Sequence, residues 1–342
     1  MRTARRHIGS SVDSVDSGHL LLKTTSTSSI FSVEVNATSL IPYTIIDNTT
    51  GQVVTSGEFD ADNDITADLS LSSGDCSVFI NINDDWDGIT SIKSISSNIY
   101  FIDVSNNLFL SYFNVGSNQL TSLDLSTNLN LEYLYVNANE LTSLDISNNS
   151  QLIYLYAYLN QLTSLDLSNN LILRYIFIQN NFINSLDLTN NQELYNFNAA
   201  ANQLTSLDVS NNPILRYFYI NSNQLTSLDV SNNPDLKYLY VFSNKLASLN
   251  FSNNPLLYTL KIYDNSLTSL DLSINSQLKY LYAASNQLTV LNIANGNNVN
   301  IAIFDAISNP NLTCILVDDA AYSTTNWTNI DAGVTFSDTT CP

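Results

Sequence analysis

Residues 131–151 read LEYLYVNANELTSLDISNNSQ, and the pattern of this segment returns every 21 residues along most of the chain. The repeat is clearest in a column of asparagines, here called the first asparagine column. It consists of Asn118, Asn139, Asn160, Asn181, Asn202, Asn223, Asn244, Asn265 and Asn286. A fixed period of this length predicts a solenoid, in which each repeat stacks on its neighbours.

Each repeat contains two similar halves, which begin at Leu131 and Leu141 in this segment and both fit the pattern LxxLxLxxN. Side chains alternate between the two sides of a strand, so the apolar positions of each half should point inward. In this repeat they are Leu131, Leu134, Val136, Leu141, Leu144 and Ile146. About ten residues per half leave no room for a helix. The sequence therefore predicts an all-β solenoid over residues 89–311, with two parallel β-sheets facing each other across a thin apolar core.

Asparagines also follow the second half of each repeat, at the other corner of the predicted turn. This second asparagine column consists of Asn128, Asn149, Asn170, Asn191, Asn212, Asn233, Asn254 and Asn275. Amides at a corner can bond backbone groups that the corner leaves unpaired, and they can bond one another along the stack. We interpret both columns as scaffold rather than as a polar binding ladder.

The nested pattern LxxLxLxxNxLxxLDLxxN resembles the IRREKO-type leucine-rich repeats of secreted and surface bacterial proteins, and the resemblance covers about residues 89–316. It implies a leucine-rich-repeat solenoid, which in such proteins serves adhesion, host interaction or ligand binding. The ending, residues 309–342, resembles the cap that follows such repeats. The sequence departs from the pattern locally, as where Asn250 and Asn292 replace the usual aspartate.

The end of the chain is predicted to close the solenoid, because a last turn would otherwise expose apolar core and unpaired strand edges. This C-terminal cap comprises residues 312–342 and begins with one more strand-like pattern at Leu312 and Ile315. Cys314 and Cys341 can form a disulfide across the cap, with two buried thiols as the alternative. A disulfide would indicate an oxidising compartment.

The region before the repeats has a different character. Residues 20–88 contain short strand-like segments separated by turns, such as SIFSVEV and VVTSGEF, and predict a small β-sandwich-like domain. Residues 1–19 are polar and irregular, which predicts a flexible N-terminal arm. We expect that this N-terminal region could anchor the chain to a larger assembly.

Two acidic segments of that region are candidate metal sites. Residues 60–71, DADNDITADLSL, partly match a calcium loop, but Ile65 and Leu71 replace its glycine and its closing carboxylate. We therefore favour a solvated turn for this segment. For residues 83–87 we favour a junction loop.

Composition excludes several classes of function. Eleven lysines and arginines stand against 31 acidic residues, so the formal net charge of −20 repels nucleic acid and anionic membranes. No apolar stretch is long enough to span a bilayer, and the start MRTARRHIGS lacks the apolar core of a signal peptide. His7 and His19 are the only histidines, which argues against a histidine-based triad or zinc site. We therefore expect no cofactor, no membrane insertion and no catalysis.

One outward row of the repeats is acidic. It consists of Asp124, Asp145, Asp166, Asp187, Asp208, Asp229 and Asp271. Seven equivalent positions indicate a repeated structural choice rather than a catalytic pair with two different pKa values. We predict a ladder in which hydroxyls of adjacent turns, such as those of Ser143 and Ser147, donate to the carboxylates. Bound Ca²⁺ along this row is the alternative.

The opposite outward rows carry tyrosine and phenylalanine, with Arg174, Arg216, Lys237 and Lys279 beside the first column. Tyrosine and arginine are enriched at binding hot spots, so we predict that this side binds the ligand. The predicted ligand-binding residues are Tyr133, Tyr135, Tyr154, Tyr156, Arg174, Tyr175, Arg216, Tyr217, Tyr219, Lys237, Tyr238, Tyr240, Tyr280 and Tyr282. Ring stacking that only stabilises the sheet is the structural alternative.

These features predict a non-catalytic recognition or adhesion protein that is extracellular or surface-exposed. Its partner would be a cell-surface polysaccharide, whose sugar faces stack on rings while acidic groups meet Arg and Lys, or equally a protein. A bacteriophage spike or fibre component on the virion surface is the alternative, since no signal peptide is visible. A carbohydrate-active enzyme is a third hypothesis, for which the sequence offers no convincing site.

Overall fold

The computed structural model describes residues 89–341 and, before them, the backbone of six strands. These strands are β1 (His19–Thr24), β2 (Phe31–Asn36), β3 (Ile41–Asp47), β4 (Val53–Phe59), β5 (Asp64–Ala67) and β6 (Cys76–Asn81). All six fall within the region predicted to be a small β domain, apart from His19 at its edge. The predicted arm and the turns between these strands lie outside the described residues.

The solenoid is built on short parallel strands, one from the first half of each turn. They are β7 (Ser91–Lys93), β9 (Tyr112–Asn114), β10 (Tyr133–Tyr135), β11 (Tyr154–Tyr156), β12 (Tyr175–Phe177), β13 (Asn196–Asn198), β14 (Tyr217–Tyr219), β15 (Tyr238–Tyr240), β16 (Thr259–Lys261), β18 (Tyr280–Tyr282) and β20 (Ile303–Asp305). Equivalent residues of successive turns pair directly, as Tyr133 does with Tyr154. We call the outward side of this sheet the tyrosine face.

The second half of each turn forms the opposite side, here called the aspartate face. It begins with β8 (Ile99–Asp103) and ends in a four-stranded parallel sheet of β17 (Ser269–Asp271), β19 (Val290–Asn292), β21 (Cys314–Leu316) and β22 (Thr335–Ser337). The predicted two-sheet solenoid is confirmed, and no α-helix lies within residues 89–311. In the middle turns, however, no continuous strand ladder connects successive turns on the aspartate face. They are connected mainly at its corner, where Glu140 N donates to Leu120 O at 2.9 Å.

The apolar residues of both halves meet in one core that runs the length of the solenoid. The six positions predicted to point inward are all buried, from Leu131, which is fully buried, to Leu144, which is 7% exposed. Equivalent residues of every turn form one continuous cluster. Because one turn cannot enclose its own apolar side, the stability of each turn depends on its neighbours.

The asparagine columns are scaffold, as predicted, and every member except the half-buried Asn244 is buried. Their amides, however, bond the backbone rather than each other. In the first column, Asn139 Nδ2 donates to Val115 O (2.9 Å) and Val136 O (3.1 Å), while its Oδ1 accepts from Leu120 N. In the second column, Asn149 Nδ2 donates to two backbone carbonyls of the preceding turn. Each amide therefore fastens its own turn to the previous one.

The corner before each member of the first column uses left-handed backbone, although no glycine occupies it. The residues are Ser117, Ala138, Leu159, Asn180, Ala201, Ser222, Ser243, Asp264 and Ser285. Leu159, at a φ of 55°, is the least suited of these, because the left-handed region costs a Cβ-bearing residue about 1–2 kcal/mol and asparagine tolerates it better. Its side chain is half exposed and contributes little packing.

We therefore expect Leu159→Asn, which copies Asn180 of the next turn, to raise the free energy of unfolding by roughly 0.5–1 kcal/mol. Thermal and urea unfolding followed by circular dichroism measures this change. Leu171→Asn is the matched control, since Leu171 is equally exposed but has no left-handed backbone. An equal gain in both variants, or none at Leu159, would contradict the strain argument.

The N-terminal strands pair with the first strand of each face. Strand β1 pairs antiparallel with β8, where Leu21 faces Asp103, and β2 pairs antiparallel with β7, where Glu34 faces Lys93. Strand β1 belongs to the sheet β4-β3-β6-β1-β8, whereas β5 and β2 extend the tyrosine-face sheet. Both exposed edges at this end of the solenoid are thereby covered.

The C-terminal cap contains the one α-helix of the described residues, α1 (Ala320–Asn326), which the all-β prediction did not include. Asp319 caps it by accepting the N–H of Tyr322. The indole of Trp327 is buried and stacks on Phe304, with a centroid distance of 4.3 Å, so the cap closes the end of the core. The structure joins Cys314 and Cys341 by a disulfide, with their Cα atoms 5.6 Å apart.

Candidate binding face

The tyrosine face carries two neighbouring columns of rings because each strand of three residues turns its first and third side chains outward. In β10, Leu134 is fully buried, while Tyr133 and Tyr135 are half-buried on the outer surface. Parallel in-register strands repeat about every 4.8 Å, which brings identical side chains into stacking distance. The predicted tyrosines are therefore brought together on one surface.

Rings of the first column stack on one another along the solenoid. Tyr154 and Tyr175 have centroids 4.3 Å apart and planes only 3° from parallel. Tyr133 and Tyr154, like Tyr217 and Tyr238, are 4.9 Å apart and also stacked. Neighbouring rings thus cover the flat sides of these rings. The tyrosine face therefore presents ring edges and hydroxyls outward.

Between Tyr112 and Tyr280, two turns lack a tyrosine in the first column, at Asn196 and Thr259, and in both the preceding residue supplies the ring. Tyr195 contacts Tyr175 and Tyr217 at 6.0 and 5.5 Å. Tyr258 makes the equivalent contacts, at 5.9 and 5.6 Å. An unbroken chain of ring contacts, the aromatic ladder, results. Its members are Tyr112, Tyr133, Tyr154, Tyr175, Tyr195, Tyr217, Tyr238, Tyr258 and Tyr280.

The second column is shorter and more deeply set. Tyr135 stacks on Tyr156 at 4.6 Å, whereas Tyr219 meets Tyr240 edge to face at 4.8 Å. Burial raises the pKa of Tyr135 and of Tyr219 to about 12. Like an ordinary tyrosine, both are protonated at physiological pH and can donate hydrogen bonds to a partner, and the raised pKa keeps them protonated at still higher pH.

Basic side chains lie against these rings. Arg174 is 5.4 Å from the centroid of Tyr195, and Lys237 is 5.1 Å from that of Tyr258. Lys261 occupies a second-column position between Tyr240 and Tyr282, at 4.3 and 5.1 Å. These distances are within the range of cation–π attraction. The sequence interpretation missed Lys261 because it stands where the column otherwise holds an aromatic residue.

Exposed apolar side chains border the tyrosine face at the corner that leads into its strands. Leu129 and Leu171 are each more than half exposed, and Ile172 and Leu256 are about two-fifths exposed. Together with the rings and the basic residues, they give this side the mixed apolar, aromatic and cationic character of a binding surface. The sequence interpretation did not include this corner.

The aspartate face has its carboxylates already engaged. Asp145 Oδ1 accepts the N–H of Ser147 at 3.0 Å, and hydrogen bonds from the Ser147 hydroxyl and N–H lower the pKa of this carboxyl. The donors thus belong to the same turn, two residues later, and not to adjacent turns as predicted. Within residues 89–341, no three His, Cys, Asp or Glu side chains converge as metal ligands would.

Two further expectations from the sequence concern the acidic segments of the N-terminal region and a membrane span. Asp64–Ala67 of the first acidic segment form strand β5, which pairs with β2, so the prediction of a turn over residues 60–71 is wrong at these four positions. The rest of that segment and residues 83–87 lie outside the described residues, and the junction loop stays a prediction. In the part of the chain that the structure describes, no helix is both long and apolar enough to cross a bilayer.

No family model matches the sequence, and no curated protein matches it either. Several solved structures, however, are similar to this chain. The functional domain of InlJ from Listeria monocytogenes superposes with a TM-score of 0.60 at 28% identity, covering 68% of this chain and 59% of that domain. An internalin (inlF) from the same species gives 0.56 at 21% identity, over 77% of this chain and 90% of the other.

A third similar structure is the leucine-rich-repeat ectodomain of the plant receptor kinase GASSHO1/SCHENGEN3 from Arabidopsis thaliana, in complex with CASPARIAN STRIP INTEGRITY FACTOR 2. Its TM-score is 0.52 at 19% identity, over 66% of this chain and 33% of that one. The chain thus spans under two thirds of the length of the InlJ domain. By its fold this chain is a leucine-rich-repeat solenoid, similar to those of bacterial internalins.

Proposed function

We propose that the chain is a non-catalytic recognition protein whose tyrosine face binds a protein partner outside the cell. The observation that carries this proposal is the outward presentation of ring edges, protonated hydroxyls and basic groups over successive turns. Within the described residues, Arg174, Arg216, Lys237, Lys261 and Lys279 form no ion pair with a carboxylate. Their charges are therefore available to an acidic partner surface.

The stacking geometry favours a protein over a polysaccharide. A sugar stacks on the face of an aromatic ring, whereas the best-stacked rings here, Tyr154 and Tyr175, cover each other's faces. The sugar-stacking hypothesis therefore loses its main support. Ring edges, hydroxyls and the exposed corner residues such as Leu171 instead suit the apolar and polar mixture of a protein surface.

The similar structures support the same class of partner. The plant ectodomain of this fold is in complex with CASPARIAN STRIP INTEGRITY FACTOR 2. The likeness to InlJ and inlF supports a role in adhesion or recognition at a bacterial surface. The narrower assignment of the repeat to the IRREKO type remains our interpretation of the sequence. The disulfide between Cys314 and Cys341 supports an oxidising, extracellular location. A virion role stays an untested alternative.

Binding of the fluorescently labelled full chain to whole cells tests the class of partner. Target cells are treated beforehand either with a protease or with periodate, which oxidises sugar diols. We expect protease treatment to abolish binding and periodate treatment to leave it unchanged. Loss after periodate, with binding retained after protease, would assign the partner to a glycan and contradict the proposal.

A further inference from the structure

The regular period breaks once beside the tyrosine face. Successive members of the first asparagine column are 21 residues apart as far as Asn286, but the next equivalent residue, Asn309, follows after 23. Asn309 shows the equivalence by donating to Ala283 O and Ala306 O. The extra length lies at the corner leading into the tyrosine face, where residues Asn298–Asn300 form a 3-10 turn. We call residues 296–300 the corner lobe.

The C-terminal cap holds this lobe in place. Asp318 accepts the N–H of Gly296 at 2.9 Å through Oδ1 and that of Asn298 at 3.1 Å through Oδ2. Asp318 N in turn donates to Asn298 Oδ1 at 2.7 Å, and the Tyr322 hydroxyl donates to Val299 O. The lobe is therefore a fixed projection rather than a loose insertion.

A shallow recess, open to solvent and with a volume of about 270 Å³, lies between the lobe and the preceding turn. It is lined by Tyr258, Ser276, Gln277, Lys279, Asn297 and Asn300. Two of these residues, Tyr258 and Lys279, belong to the ladder and to the basic margin of the tyrosine face, so the recess opens at the C-terminal end of that face. It is large enough to admit an amino-acid side chain.

The lining has the chemistry of a receptor for one negative charge. It contains a single cation, Lys279, and no acidic residue. The side chains of Ser276 and Gln277 form no hydrogen bond to any described residue, and Asn300 Nδ2 uses one hydrogen on Asn297 Oδ1. Hydroxyl and amide donors beside one ammonium suit a carboxylate, whereas a phosphate favours a cluster of cations.

We propose that this recess seats a carboxylate side chain, an aspartate or glutamate, of the protein partner that lies along the tyrosine face. The inference rests on the proposed function, since it assigns an anchor point within the same interface. It also gives the repeated face a defined end, because one wall of the recess is the corner lobe, which stands where the 21-residue period breaks. A charged anchor of this kind fixes orientation more than it adds contact area.

The capped amino acid N-acetyl-aspartate methylamide serves as the probe, with the asparagine analogue as its uncharged control. Both are titrated into the full chain while the side-chain amide signals of Gln277, Asn297 and Asn300 are followed by NMR. We expect saturable shifts with the aspartate probe and none with the asparagine analogue. Equal shifts from both probes, or no shift from either, would overturn the proposal.

Substitutions locate the charge. Lys279→Gln should weaken probe binding at least about tenfold and Lys279→Arg should preserve it, because arginine also donates to carboxylates. Lys245→Gln makes the same charge change on the exposed opposite corner and should leave binding within about twofold. An equal loss in the Lys245 and Lys279 variants would overturn the assignment.

The two proposals fail separately. If the recess is assigned wrongly, the probe does not bind but the tyrosine face still mediates cell binding. If the proposed function is wrong, the recess still captures the aspartate probe while substitutions in the tyrosine face leave cell binding unchanged.

Discussion

Replacing Asn170 by alanine is expected to lower the free energy of unfolding by about 2–4 kcal/mol, because two buried carbonyl groups lose their donor. Asn170 is fully buried, and its Nδ2 donates to Ile146 O at 3.0 Å and to Asn149 O at 2.9 Å. A cavity at the corner adds to the loss. Urea unfolding followed by circular dichroism measures the difference.

The adjacent residue provides a matched control. Asn169 is exposed, and its Nδ2 donates to Ser147 O at 3.1 Å at the surface of the same corner. Water can replace that donor, so Asn169→Ala should cost less than about 1 kcal/mol. Equal losses at the two positions would show that the buried column is not what fastens the turns together.

A companion variant separates hydrogen bonding from packing. Asn170→Asp keeps the size and shape of the side chain but places a carboxylate oxygen where Nδ2 met two carbonyls. We expect it to destabilise the fold more than alanine does, since an ionised group would be buried without a donor. If Asn170→Asp destabilises the fold less than Asn170→Ala does, the second asparagine column stabilises the fold through packing alone.

Most of the solenoid could be predicted because the same pattern of apolar and asparagine positions recurs every 21 residues. The alternation within each half identified the buried residues, such as Leu134 and Leu144, and the corner asparagines. Helix α1 was missed because it occurs once, in the cap, where no repeat reinforces the pattern. Its seven residues, AAYSTTN, are too few for helical periodicity to show.

The tyrosine columns were predictable for the same reason, but the details of the face were not. Tyr195 and Tyr258 lie one residue off the column, in the two turns where Asn196 and Thr259 interrupt it. A search that allowed this shift would have found them. The stacking of ring on ring, which weakens the case for a sugar ligand, depends on side-chain rotation and cannot be read from sequence spacing.

The largest effect on function is expected from replacing four rings of the tyrosine face by serine, at Tyr217, Tyr219, Tyr238 and Tyr240. Loss of a hot-spot ring costs about 2 kcal/mol of binding energy, and about 1.4 kcal/mol corresponds to a tenfold change in affinity. Even two such rings would therefore weaken binding roughly a thousandfold. The core beneath, including Phe218 and Leu239, is untouched and fully buried.

The substituted protein must still be folded for this result to count. Stacked ring pairs such as Tyr217 and Tyr238 contribute about 0.5–1.5 kcal/mol each to stability, so a modest decrease in melting temperature is expected. Circular dichroism of the variant should nevertheless show the native spectrum. A variant with only Tyr217 and Tyr238 replaced provides a second, milder test if the fourfold change destabilises the sheet.

The most direct test of the central claim is a titration of target cells with two matched variants of the full chain. One carries the four serine substitutions on the tyrosine face, and the other carries Asp208→Asn with Asp229→Asn on the aspartate face. The tyrosine-face variant is predicted to lose binding while folded, and the aspartate-face variant to bind as the unsubstituted chain does. Loss of binding in the aspartate-face variant, with binding retained in the other, would place the recognition surface on the opposite side of the solenoid.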